Sequence, residues 1–268
     1  IALPIEYSGQ SDVFMTAGSY NLTAINDDTN YEILDYQRTV IIHKKQVIVS
    51  ALDGVILEKV FDGTNIYPYE LAEGEHYSVE GIVDDAQVIL GDKIYNSPDV
   101  DFATSVTVRI SITDTDNYTI EESFEFEALI SPKPVQTVWN EEEWDFVYTA
   151  NDLSDGVKAV FYDVNDNPID LTISFIGEST VFMIAGDYTA TASTMDTNYQ
   201  LLDYTKELTI QKAMVLVSTV AGASISRIYD GNKNYEGDFE LGVHYEVQGI
   251  VDDATVQITN IQFNSAEV

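Results

Sequence analysis

Strict alternation of apolar and polar side chains marks the stretch Thr104-Ser-Val-Thr-Val-Arg-Ile-Ser-Ile-Thr113. Side chains of a strand point to opposite faces in turn, so the Val and Ile residues of this stretch would share one face. The same period of two recurs in the stretches Ser123–Ile130, Tyr188–Ser193 and His244–Gly249. The alternation therefore predicts half-buried β-strands.

Turn-forming pairs such as Asp53-Gly54 and Asp62-Gly63 separate these stretches. No segment of a dozen residues has an apolar stripe at helical spacing. Many short strands with frequent turns are typical of all-β folds. We predict tandem small antiparallel β-sandwiches of the immunoglobulin (Ig-like) type, extended like beads on a string. A β-grasp-like sheet carrying a short helix is the alternative.

An internal repeat organises the chain. Residues 1–100 align with residues 169–268 without a gap, and 43 of these 100 pairs are identical. Gly81–Ala86 returns unchanged at 249–254, and Asp28-Thr-Asn-Tyr31 returns at 196–199. Such self-similarity indicates recurring structural modules.

A weaker repeat lies inside the long one, because Asp114-Thr-Asp-Asn-Tyr118 resembles the Asn-Tyr motif at 198–199. The 168-residue period therefore holds two related modules, with junctions near residues 45, 132 and 212. The segments 1–45 and 213–268 are then expected to be parts of modules, which a continuing array or another chain would complete.

Several motifs resemble the MBG-type and YDG-type repeat modules of large bacterial surface adhesins. MBG-type motifs are matched by Ala185-Gly186-Asp187-Tyr188, Asp196–Tyr199 and Ile210-Gln211-Lys212, and YDG-type motifs by Ile228-Tyr229-Asp230-Gly231 and Val60-Phe61-Asp62-Gly63. Phe61 is a conservative departure from the Tyr of the YDG motif. The resemblance implies no catalytic residues and leaves the ligand open, because such modules often serve as stalks.

The resemblance assigns a type to each predicted segment. Residues 1–45 would be the C-terminal half of an MBG-type module, and residues 46–132 a YDG-type module. Residues 133–212 would be an MBG-type module, and residues 213–268 the N-terminal part of a YDG-type module.

Composition limits the partners and the location. The chain has 46 acidic and 12 basic residues, a net charge of −34, which disfavours nucleic acid and anionic lipid as partners. It has no cysteine, so disulfides and thiolate metal sites are excluded. No apolar run is long enough to span a membrane, so an export signal or anchor is expected outside this segment. We expect an extracellular bacterial location, at the cell surface or secreted.

Acidic loops are the candidate metal sites. Calcium prefers six to eight oxygen ligands, and close carboxylates repel one another unless they are solvated or bridged by a cation. Solvated loops and a hairpin turn at 163–168 are the competing interpretations, so no cofactor is certain and calcium is the possible one. The candidate ligands are Asp27, Asp28, Asp84, Asp85, Asp114, Asp116, Asp163, Asn165, Asp252 and Asp253.

Trp139 and Trp144 follow the predicted junction at 132 and are expected at a module interface, with sugar stacking as the alternative. Three scattered histidines yield no catalytic triad. We therefore expect a non-catalytic stalk or fibre segment of a surface adhesin, partnered by adjacent repeats or neighbouring subunits. A module that binds glycan or protein, from a host or a matrix, is the alternative, and a self-assembling filament subunit is the second alternative.

Overall fold

The computed structural model describes residues 3–11 and 14–265, so Val13 of the recurring Val-Phe-Met motif lies outside the described residues. Strands make up 44% of the structure and helices 2%. The predicted all-β class is confirmed. The helical part described is two 3-10 turns, Glu141–Glu143 and Ser154–Gly156. No helix in the described ranges has the length and apolar character needed to cross a membrane.

The chain forms two compact units. Unit 1 comprises Ile1–Lys133 with Asp196–Gln200, and unit 2 comprises Pro134–Met195 with Leu201–Val268. The predicted four-module division is finer than these two units and stays a prediction.

The first ten strands belong to unit 1 and form three sheets, in the orders β1-β2-β3, β5-β10-β8-β7 and β6-β4-β9. Their bounds are β1 Ile5–Gly9, β2 Gly18–Ala24, β3 Gln37–Ile42, β4 Lys45–Ala51, β5 Ile56–Val60, β6 Tyr77–Glu80, β7 Val88–Tyr95, β8 Ser105–Ile112, β9 Tyr118–Ile120 and β10 Ser123–Ser131.

The remaining strands form four sheets, in the orders β11-β17, β12-β13-β14, β15-β16-β18 and β19-β20. Their bounds are β11 Lys133–Gln136, β12 Val138–Trp139, β13 Ala159–Tyr162, β14 Pro168–Asp170, β15 Thr172–Gly177, β16 Gly186–Ser193, β17 Tyr199–Leu202, β18 Thr205–Ile210, β19 Leu216–Thr219 and β20 Tyr245–Gln248.

Two pairings in unit 1 correct the prediction of purely antiparallel sheets. Strand β10 runs parallel to β5, and β9 runs parallel to β4. Alternation determines which face of a strand is buried, but not which neighbour it pairs with or in which direction. The sheets β5-β10-β8-β7 and β6-β4-β9 are therefore mixed.

Strand pairings recur at the spacing of the sequence repeat. Gly18 pairs with Ile42, and Gly186 pairs with Ile210. Val49 pairs with Val79 and Val217 with Val247, so each partner is again displaced by 168 residues.

The Ala-Gly-x-Tyr motif begins the central strand of two of these sheets. Gly186 has a φ of 148°, and a Cβ there would lie 2.4 Å from Glu178 Cγ, so both backbone conformation and space favour glycine. Tyr188 is 1% exposed and its hydroxyl donates to the carbonyl of Ile184 at 2.9 Å. Tyr20 is likewise buried and bonded to the Thr16 carbonyl. The tyrosines therefore pack inward, as predicted.

An aromatic cluster is the centre of the core in unit 2. Phe182 is fully buried, and its ring centroid lies 4.8–4.9 Å from those of Phe146, Phe175 and Tyr188. Aromatic contacts of this kind add to the stabilisation from area burial. Phe14, the counterpart of Phe182 in unit 1, is 37% exposed.

Candidate functional site

The Asn-Tyr loops are the most elaborate polar structures of the chain. In the loop before β9, Asp114 Oδ1 accepts the backbone N–H groups of Asp116 and Asn117, each at 3.0 Å. Asp114 Oδ2 accepts Asn117 Nδ2 at 2.7 Å. The hydrogen bond from the Asn117 side chain is the main cause that lowers the pKa of Asp114. The carboxylate thus fixes the Asn117 amide in one orientation.

Asn117 connects the loop to two other segments of unit 1. Its Oδ1 accepts the N–H of Ala17 at 2.8 Å, and its backbone oxygen accepts the N–H of Lys45 at 2.8 Å. Lys44 Nζ donates to the carbonyl of Thr115 at 2.6 Å. One loop therefore joins the sheet β1-β2-β3 to the start of β4.

Tyr118 anchors the same loop in the core. Its side chain is 3% exposed and packs with Val47 and Ile112. Its hydroxyl accepts the N–H of Val83 at 3.2 Å. Burial is the main cause that raises the pKa of Tyr118, and a hydrogen bond to Asp84 adds to it. The repeated stretch Gly81–Ala86 is thus held by the tyrosine.

A second Asn-Tyr motif makes equivalent contacts within unit 1. Asn198 Oδ1 accepts the N–H of Val100 at 2.8 Å, and its backbone oxygen accepts the N–H of Lys133 at 2.8 Å. The ring of Tyr199 packs edge-on against Phe61 at 5.3 Å between centroids. The Asn residue therefore makes the same two kinds of acceptor contact in both loops.

The third motif, Asn30-Tyr31, has the clasp without the far contacts. Asp28 Oδ1 accepts the backbone N–H and Nδ2 of Asn30, each at 2.9 Å. Tyr31 is 66% exposed. Within residues 3–11 and 14–265 no group donates to Asn30 Oδ1.

Comparison of the sequence with protein-family models and with curated proteins found no match.

The predicted metal ligands act as acceptors within their own turns. Asp163 Oδ1 accepts the N–H groups of Asn165 and Asn167 at 2.8 and 2.9 Å, which closes the hairpin turn that was the competing interpretation. Side-chain and backbone hydrogen bonds from Asn167 lower the pKa of Asp163. Asp84 Oδ1 accepts the N–H of Ala86 at 3.0 Å.

Asp252 is the candidate whose carboxylate also bonds a distant side chain. Its Oδ1 accepts the N–H of Ala254 at 2.9 Å, and its Oδ2 accepts the Tyr148 hydroxyl at 2.7 Å. That hydroxyl lowers the pKa of Asp252, and the carboxylate in turn raises the pKa of Tyr148. These contacts hold Gly249–Ala254 near Tyr148.

The remaining candidates are exposed: Asp27, Asp85, Asp116 and Asp253. In the part of the chain that the structure describes, no three histidine or carboxylate side chains gather as a metal site would require. Calcium binding stays a prediction.

The two tryptophans lie in the core region of unit 2. Trp139 is 8% exposed in the cluster around Phe182, and its Nε1 donates to the carbonyl of Asp203 at 3.1 Å. Trp144 packs against that cluster, and its Nε1 donates to Asn140 Oδ1 at 3.0 Å. Their predicted part in an interface stays a prediction.

Lys59 is a buried cation that sequence reasoning missed. It is 5% exposed, and its Nζ donates to Asp62 Oδ1 at 2.6 Å and to the carbonyl of Thr64 at 2.7 Å. Burial alone would raise the pKa of Asp62, but the hydrogen bonds from Lys59 and Thr64 lower it on balance. The ammonium thus holds the Phe-Asp-Gly turn closed.

Arg227 repeats this arrangement 168 residues later, where its guanidinium donates to Asp230 Oδ2 at 3.0 Å and to the carbonyl of Asn234 at 2.6 Å. A basic residue recurring three positions before Asp-Gly was the signal in the sequence.

The clasp of Asp114 leads to a pH-dependent prediction. We expect Asp114→Ala to lower the melting temperature at pH 7, because Asn117 loses the acceptor that orients it. The folded-state pKa of Asp114 lies below its usual value of about 3.9, so its contribution is fully present above that pH and is lost as the pH falls through the lowered value.

Melting of the wild type and the variant across this pH range checks the prediction, and the difference between them should narrow in acid. Asp116→Ala is the matched control, because that side chain is exposed in the same loop and should leave the melting temperature unchanged. A difference that stays constant with pH would show that the charge of Asp114 contributes nothing.

Proposed function

We propose that this chain is a non-catalytic structural segment, a stalk or fibre, of a bacterial extracellular surface protein or adhesin. The observation that carries the proposal is the double contact of Asn117, whose side-chain and backbone oxygens bind two separate segments of unit 1. Asn198 makes the same kind of double contact. Side chains that join folded segments in this way suit a protein whose task is to hold a distance.

Further support comes from how the specialised side chains are used. Tyr118, Lys59 and Arg227 bind backbone groups of nearby turns. The pairings that recur every 168 residues suit an array of like modules. The resemblance of the turn motifs to MBG-type and YDG-type modules agrees with that role, and a charge of −34 would keep a long array soluble.

Force spectroscopy tests the proposal directly. A chain pulled from its two ends should unfold in separate cooperative events, because each module is expected to bury its own core. A module of roughly 80–87 residues should release about 28–30 nm of chain at ~3.5 Å per residue. Gradual extension without separate events would contradict the structural role. Saturable binding on a glycan array, lost when exposed aromatic residues are replaced, would favour the adhesive alternative.

A further inference from the structure

A groove in unit 2 corresponds to one in unit 1 position by position. The unit 2 groove has a volume of about 190 Å³, and its lining includes Ala185, Ala213, Val251 and Asp252. In unit 1 the residues 168 positions earlier, Ala17, Lys45, Val83 and Asp84, line a groove of about 200 Å³ with Asn117 and Tyr118. The two grooves therefore have equivalent walls.

The walls of the unit 1 groove present three backbone N–H groups to one dipeptide. Ala17 N–H binds Asn117 Oδ1 and Lys45 N–H binds the Asn117 backbone oxygen, each at 2.8 Å. Val83 N–H binds the Tyr118 hydroxyl at 3.2 Å. An Asn-Tyr pair thus satisfies all three donors.

The same three donors exist in unit 2 without such a pair. Among the residues that the structure describes, none accepts a hydrogen bond from the N–H of Ala185, Ala213 or Val251. Ala185 and Ala213 are half-buried, so their N–H groups gain from a protein acceptor. The groove has the donor set that binds Asn-Tyr in unit 1.

The strand beside the groove also has an open edge. In unit 1, β4 lies between β6 and β9, the strand that begins at Tyr118. In unit 2, β19 pairs with β20 alone within the described residues. Unpaired strand edges accept a further strand through main-chain hydrogen bonds. The occupant of the groove should therefore continue as an extended strand.

This chain carries an exposed segment with that chemistry. Asn30 is held by Asp28 as Asn117 is held by Asp114, which leaves Asn30 Oδ1 directed to no described donor. Tyr31 and Leu34 are 66% and 81% exposed. The stretch 28–34 forms no strand, although its counterpart at 196–202 contains β17.

We infer that the groove of unit 2 binds residues 28–34 of a second copy of this chain. Asn30 would accept the N–H groups of Ala185 and Ala213, and the Tyr31 hydroxyl would accept that of Val251. Donor segment and groove are different surfaces, so the contact is head-to-tail and does not close on itself in a pair. The inference goes beyond the structural role proposed above, and that role would stand without it.

Complementation between two variants tests this contact. Tyr31→Ala removes the donor ring and keeps the groove, whereas Ala213→Pro removes a groove N–H and keeps the donor segment. At physiological ionic strength, where repulsion between acidic copies is screened, the wild type should associate with increasing concentration in sedimentation equilibrium. Each variant alone should associate about tenfold more weakly or less. Their equimolar mixture should form a heterodimer that goes no further.

Tyr36→Ala is the matched control, because Tyr36 is 48% exposed and lies outside the segment, so this variant should associate like the wild type. Tryptophan fluorescence checks that unit 2 of Ala213→Pro is folded. If it is not, a peptide with the sequence of residues 114–121 replaces that arm: it should dissolve wild-type assemblies, and the same peptide with alanine for asparagine should not. A wild type that stays monomeric, a mixture that does not pair, or two equally active peptides would overturn the inference.

Discussion

Phe182→Ala should destabilise unit 2 by about 3–5 kcal/mol, the usual cost of deleting a large aromatic side chain from a core. Phe182 is fully buried against three other aromatic rings, so the deletion leaves a cavity that these rings fill poorly. Both tryptophans of the chain lie in unit 2, so their fluorescence reports the unfolding of that unit. The urea midpoint seen by fluorescence should fall clearly.

Phe14→Ala is the matched control for this deletion, because Phe14 occupies the equivalent repeat position but is 37% exposed. We expect a cost of roughly 1–2 kcal/mol, confined to unit 1, with the fluorescence midpoint unchanged. Equal costs at the two positions would show that the packing around Phe182 contributes nothing beyond that around Phe14.

Tyr118→Ala should destabilise unit 1 by about 3–5 kcal/mol. The substitution removes a 3% exposed ring from the cluster with Val47 and Ile112 and the acceptor of the Val83 N–H. Tyr118→Phe retains the ring, so it should cost about 0.5–1.5 kcal/mol, the typical net value of one hydrogen bond. Urea unfolding followed by far-UV circular dichroism measures both losses.

Tyr31→Ala provides the comparison within the same motif. The Tyr31 ring is 66% exposed, and surface substitutions usually change stability by less than about 0.5 kcal/mol. A loss at Tyr31 as large as that at Tyr118 would contradict the assignment of Tyr118 as the buried anchor.

Local patterns in the sequence predicted the strands well. The alternating stretches at 104–113 and 123–130 became β8 and β10, and Tyr188 packs inward as predicted. Asp114 and Asp163 bond nearby backbone groups, as aspartates in turns commonly do. These features depend on side chains within a few residues of one another, which a sequence displays directly.

Features that depend on distant partners were not predicted. Nothing near Asn117 indicates that its oxygen reaches Ala17, 100 residues away. The parallel direction of β9 beside β4 depends on the same long-range arrangement. Phe14 and Phe182 occupy the same motif yet differ in burial, because burial is set by the surrounding side chains and not by the motif.

Amide hydrogen exchange of Phe182→Ala tests the central claim, that the chain consists of all-β units with separate cores, most directly. The account predicts that protection falls throughout β15, β16 and β18, where the core of unit 2 is weakened. Protection in β7 and β8, which belong to unit 1, should stay at the wild-type level. An equal loss of protection in β7 and β8 would reveal one shared core and contradict the account.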